Sequence, residues 1–156
     1  MREVVVSALA MDKEREYPVV LLKASEKSAV LPIWIGPAEA SSIFTVLAGK
    51  SFQRPMTHDL MRIIVDVLEA EVSSVEITGI SKNTYFARIV LRRDEDIFYV
   101  DARPSDSIAL ALRCKASIFV DNDLFDEYSR KMSIKKDDEE GHLDRIDPED
   151  FGFFDL

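Results

Sequence analysis

The sequence predicts an α+β domain in which a mainly antiparallel or mixed sheet packs against helices. Three observations point there. Strand-like and helix-like stretches come in blocks rather than in strict alternation, which disfavours a doubly wound parallel sheet. Two prolines, Pro37 and Pro104, each follow a run of three strand-like segments. An acid stands two residues after each, Glu39 and Asp106, with Ile43 and Leu110 in step behind them. We therefore expect a duplicated three-strand-plus-helices unit. Its halves cover about 1–70 and 71–132, forming one domain over 1–132, with an acidic tail at 133–156.

The first half opens with apolar runs at 4–10 and 17–23, joined through the polar segment 12–16 as a hairpin. Residues 29–35 make a third strand, apolar on both faces. Gly36-Pro37 then starts a helix, because proline suits the first helical position, where its missing N–H is no loss. Ala40, Ile43, Phe44 and Leu47 form its apolar face, and Gly49 ends it. Thr57 is a candidate N-cap for the next helix, whose apolar period runs through Leu60, Ile64, Val67 and Leu68.

The second half repeats the pattern. Strands fall at 74–80, 84–92 and 97–102, with Lys82-Asn83 as a tight turn because asparagine tolerates positive φ. Pro104 starts a helix carrying Ile108, Ala111 and Leu112 on one face. A short β run at 117–120 follows, and Asp121 or Asn122 caps a last helix bearing Leu124, Phe125, Tyr128 and Met132.

Composition narrows the class. At 156 residues, 47% hydrophobic and 31% charged, the chain has enough apolar material for a core without staples. Cys114 is the single cysteine, which excludes an internal disulfide or a cysteine-rich zinc site. No run reaches the roughly 18 apolar residues of a membrane span, and the first residues lack a signal-peptide pattern, so a cytoplasmic protein is expected. Asn83, Asn122 and Gln53 are the only amides, a scarcity that together with many charges leans toward a thermophilic source. The net charge is −9, but 137–156 alone holds nine acids against Arg145, so the rest is nearly neutral. That balance disfavours non-specific duplex binding, which rests on Lys and Arg neutralising phosphates.

Chemistry-bearing residues gather in three segments: Trp34-Ile-Gly-Pro-Ala-Glu-Ala40, Arg54-Pro-Met-Thr-His-Asp-Leu60 and Asp101-Ala-Arg-Pro-Ser-Asp-Ser107. Asp101 at a strand end and Asp106 in a helix first turn, with Glu39, are candidate ligands for Mg²⁺ or Mn²⁺, which favour oxygen donors. A metal so held activates water and neutralises charge in phosphodiester hydrolysis. Arg54 and Arg103 are candidate phosphate contacts. His58 and Asp59 are candidate acid–base groups. A purely structural reading competes, since first-turn acids such as Glu39, Asp59 and Asp106 also satisfy orphan amides and the helix dipole. Trp34 reads as a core anchor with a bonded N–H. Arg88, Arg92 and Arg93 read as a solvated face pairing with 94–96. Cys114 reads as a small packed hydrophobe. No phosphate-cradling loop, dinucleotide fingerprint, zincin motif or nucleophile elbow is present.

The segments Leu31-Pro-Ile-Trp-Ile-Gly-Pro-Ala-Glu-Ala40, Arg54 to Leu60 and Asp101-Ala-Arg-Pro-Ser-Asp-Ser-Ile-Ala-Leu-Ala111 resemble the bifunctional nuclease domain over residues 1–132. The resemblance implies cleavage of DNA and RNA, as attributed to some members of that family. It carries no transferable catalytic list, so Glu39, Arg54, His58, Asp59, Asp101, Arg103 and Asp106 stand on their chemistry. The expectation is a divalent-metal-dependent nuclease, with nucleic acid as substrate and a homodimer as the assembly. The alternative is a non-catalytic homo-oligomeric binding or assembly module.

Overall fold

The computed structural model describes residues 1–129 and the strand Leu143–Arg145. In chain order the elements are β1 (Arg2–Asp12), β2 (Tyr17–Ala24), β3 (Val30–Trp34), α1 (Pro37–Leu47), α2 (Thr57–Val67), β4 (Glu71–Ser81), β5 (Thr84–Arg93), β6 (Asp96–Ala102), α3 (Pro104–Cys114), β7 (Ser117–Val120), α4 (Asn122–Tyr128) and β8 (Leu143–Arg145). The fold is α+β. One sheet runs through both halves in the order β3-β2-β1-β7-β4-β5-β6, and β8 pairs with β1. Every pairing is antiparallel except that of β4 with β7. The sheet is thus two antiparallel meanders joined through β7. The halves share the order of three strands and a proline-started helix. They diverge afterwards, α2 following the first helix and β7 with α4 the second. Met132, expected on the last helix, and the expected tail apart from β8 lie outside the described residues.

Strand alternation decides which side chains meet the helices. On β2, Val20, Leu22 and Ala24 join the main core, whereas Val19 and Leu21 join a smaller cluster with Ala10 and Val30. A register shift between Val6 and Ala8 in β1 lets Val4 and Leu9, five residues apart, serve the same main core. From the helices, Ile43, Ile108 and Leu110 complete that core and are almost wholly buried. Full burial of each such side chain stabilises by about 1.5–3 kcal/mol.

The punctuation follows local chemistry. Pro37 and Pro104 both occupy first-turn positions. Gly49, at φ 65°, ends α1. Lys82 and Asn83 both take positive φ, as a two-residue hairpin turn with the twist of its strands requires. Asp121, not Asn122, caps α4, accepting from the backbone N–H groups of Asp123 and Leu124. For α2 the boundary moves one residue from expectation. Thr57 is already helical and Met56 is the N-cap, because Asp59 reaches back to accept the Met56 N–H at 3.0 Å.

Two surface readings also change. Arg88 and Arg92 pair with Glu76 and Glu71, their cross-strand neighbours on β4, rather than with residues 94–96. Trp34 is 36% exposed. Its indole N–H donates to buried Asp12 at 2.8 Å, and Arg15 stacks on its ring, so it locks the first hairpin from the rim. Cys114 packs partly buried against the core, as expected.

Candidate functional site

Three helices bring the polar segments together. The N-terminal turn of α1 carries Glu39 and, one turn on, Ser42. The start of α2 carries His58 and Asp59. Arg103 precedes α3, which carries Asp106 and, two turns on, Arg113. Spacings of three and seven residues keep the α1 pair and the α3 pair each on one face, whereas adjacent His58 and Asp59 on α2 diverge, His58 toward Asp106 and Asp59 toward Arg113.

The resulting network is continuous. Arg103 donates to Asp106 through Nε at 2.6 Å and Nη2 at 3.1 Å, and its Nη1 pairs with Glu39 at 2.9 Å. Asp106 Oδ1 also lies 3.1 Å from His58 Nε2, whose ring Nδ1 lies 2.8 Å from Ser42 Oγ. With Asp106 ionised, the neutral imidazole carries its proton on Nε2, and Nδ1 accepts from the Ser42 hydroxyl. Arg113 Nε donates to Asp59 at 2.6 Å, while its Nη groups donate to the carbonyls of Ser42 and Ala109. No buried side-chain N or O among the described residues lacks a partner.

Exposure divides the roles. His58 is only 7% exposed, so the ring is enclosed between helices rather than standing in solvent. Arg103 is open, its side chain 66% exposed. Its three bonded nitrogens leave two of its five N–H groups undirected toward Glu39 or Asp106. Burial works against the charge on Asp106, but hydrogen bonds from Arg103 and His58 outweigh it and hold the carboxyl below the ordinary range. Asp59 behaves alike: burial opposes its charge, and the Arg113 guanidinium and the Met56 N–H override that. Asp106 in turn, with Glu39, keeps the Arg103 proton more tightly bound than usual.

Two expected residues stay outside. Arg54 is exposed ahead of α2 and makes no polar contact among the described residues. Asp101 is likewise exposed, and its register partner is Arg88. Arg88 is exposed, whereas its neighbours Ala87 and Ile89 are buried in the main core, so Asp101 lies on the sheet face away from the helices. The expected oxygen trio of Glu39, Asp101 and Asp106 is therefore not assembled. No group of three His, Cys, Asp or Glu side chains among the described residues is placed to hold a metal. The two carboxylates that do approach each other address the Arg103 cation instead, so the residues as arranged do not fit a divalent ion.

Ser42 and Arg113 were not singled out from the sequence. Each had a signal: Ser42 stands one turn from Glu39, and Arg113 stands two turns from Asp106.

The segments that converge here fall within residues 20–133, which match the bifunctional nuclease domain. The chain belongs to that family. Across nearly its whole length it is similar to an uncharacterized protein of Mycobacterium tuberculosis strain H37Rv. The two are 31% identical over 164 residues, covering 97% of this chain and 98% of that protein. Bifunctional nuclease 1 of Arabidopsis thaliana is 28% identical over 122 residues, 76% of this chain and 37% of the plant protein. Bifunctional nuclease 2 of the same plant is 29% identical over 119 residues, 74% of this chain and 36% of its own length. The chain thus spans little more than a third of these plant family members. No helix among the described residues is long and apolar enough to cross a membrane.

Proposed function

We propose that this family member hydrolyses phosphodiester bonds of nucleic acid at the junction of α1, α2 and α3. The observation that carries the reading is the Ser42–His58–Asp106 relay, with the open Arg103 guanidinium bonded to the same carboxylate. Names of the plant relatives, which share under a third of their aligned residues with this chain, support the choice of substrate.

Hydrolysis needs a deprotonated oxygen to attack phosphorus, a donor for the departing alcohol and cations beside the phosphoryl oxygens. His58 Nδ1 is the basic lone pair of the relay. Through the Ser42 hydroxyl it takes the proton of an attacking water, while Asp106 fixes the tautomer and stabilises the imidazolium that forms. The phosphorus–ester bond then breaks, and the imidazolium returns the proton toward the leaving oxygen. The two undirected N–H groups of Arg103 face the phosphate, and Arg54, exposed ahead of the same helix, holds a flanking one. The near-neutral body suits short or flexible single strands better than long duplexes.

End-labelled single-stranded DNA and RNA, incubated with protein in chelator and then with Mg²⁺ or Mn²⁺, test this directly. The reading expects cleavage in chelator that Ser42→Ala and Arg103→Met each reduce by at least about tenfold. Cleavage confined to added metal, and indifferent to Ser42→Ala, would reject the relay.

A further inference from the structure

The two outer edges of the sheet are built differently. β3, at one end, carries Pro32 and is buried at four of its five positions. β6, at the other end, is exposed at six of its seven positions. Those six include Ile97 at 57%, Phe98 at 43%, Tyr99 at 60% and Val100 at 43% exposure. It contains no proline and pairs with β5 in unbroken register, without the irregularities that interrupt the β1–β2 and β4–β5 pairings. Natural edge strands are normally blunted by proline, bulges or lysine, because an unguarded edge is a template for another strand. An apolar, regular, uncovered edge of this kind fits a strand from a partner.

We infer that β6 pairs antiparallel with β6 of a second copy about a two-fold axis at Tyr99, giving a homodimer with one continuous sheet. The strand sequence complements itself in that register. Phe98 of each copy lies opposite Val100 of the other on the helix-facing side, and Tyr99 meets its own counterpart. Ile97 lies opposite Asp101, so no like charges stand directly across the pair, an arrangement that would be unfavourable. Moving the axis by one residue, to Phe98, would set Glu95 against Asp101. The charges beyond the strand ends also match. One residue past β6, Arg103 comes opposite Glu95 of the other copy, in the acidic turn Asp94-Glu95-Asp96. Arg103 also borders the relay, so the second copy's turn becomes one rim of each site. This pairing stands on the edge geometry and does not depend on the nuclease reading.

The test is mass in solution by light scattering on the full chain, across a dilution series. The pairing predicts twice the 17.7 kDa chain mass for the wild type. Tyr99→Lys should halve it while leaving the far-ultraviolet dichroism unchanged. A second arm does not depend on that variant folding. In a Cys114→Ser background, Tyr99→Cys should give a spontaneous disulfide-linked dimer, since Cβ atoms directly opposite across antiparallel strands lie about 4.5–5.5 Å apart, near disulfide range. A monomeric wild type overturns the inference. So does an assembly that Tyr99→Lys leaves intact, or a Tyr99→Cys variant that stays unlinked.

Discussion

The helix junction and the outer face of the β4–β5 ribbon use the same residue types and make very different structures of them. On the ribbon, Arg88 pairs with Glu76 and Arg92 with Glu71, each arginine answering the acid directly across the strands. These pairs stand in or near solvent, where an ion pair is worth about 0–1 kcal/mol. At the junction, the Arg113 side chain is only 5% exposed, and Arg103, His58 and two aspartates link three helices from distant parts of the chain. The difference lies in what removal leaves behind. On the ribbon, the abandoned partner is rehydrated. At the junction, it is left in a poorly hydrated place with its charge unanswered.

That contrast can be broken by substitution. The largest stability effect is expected for Arg113→Leu, which strands Asp59 and two carbonyls. Urea denaturation should show a loss of about 2–4 kcal/mol, scaled down from the buried-pair range because Asp59 is partly solvated. A loss below about 0.5 kcal/mol would place Arg113 with the ribbon pairs. Acid should act next, through Asp106 and Asp59. Their folded values lie below the ordinary aspartate value, which approximates the unfolded chain. Their contribution is therefore complete above about pH 4 and is lost as pH falls through the depressed folded values. Asp106→Asn should flatten the fall in melting temperature between about pH 4 and pH 2. An unchanged slope would mean that its partners do not favour the ionised form. The smallest effect is expected for Glu71→Gln, whose stability should stay within about 0.5 kcal/mol of the wild type.

The same contrast shows what was legible in the sequence. Both proline-started helices, the two meanders and the positive-φ turn at Lys82-Asn83 follow from local chemistry, and local chemistry is written in consecutive residues. The convergence of Glu39, His58 and Asp106 was legible only as three polar segments set apart along the chain. Their partners were not: Asp59 and Arg113 are separated by 54 residues and meet only once α2 lies on α3. Asp101 shows how proximity along the chain misleads. It stands five residues from Asp106, yet strand alternation turns it to the opposite face of the sheet, beside Arg88. Reading β6 for parity would have separated the two. The ribbon arginines erred the other way, because the nearest acids in sequence were not the nearest across the strands.

A functional version of the comparison uses Asp101 itself. If the relay acts without a metal held by Asp101, then Asp101→Asn should retain cleavage within about twofold of the wild type, whereas Asp106→Asn should lose at least about tenfold. Equal losses in labelled-oligonucleotide assays would restore Asp101 to the site.

The most direct test sets the imidazole against the ribbon. Single-turnover cleavage of a labelled single strand should be compared for wild type, His58→Asn and Arg92→Met, with dichroism confirming that each is folded. The account predicts a loss of about 100-fold or more for His58→Asn and rates unchanged for Arg92→Met. Cleavage by folded His58→Asn at the wild-type rate would contradict it and leave the junction as a clasp between helices.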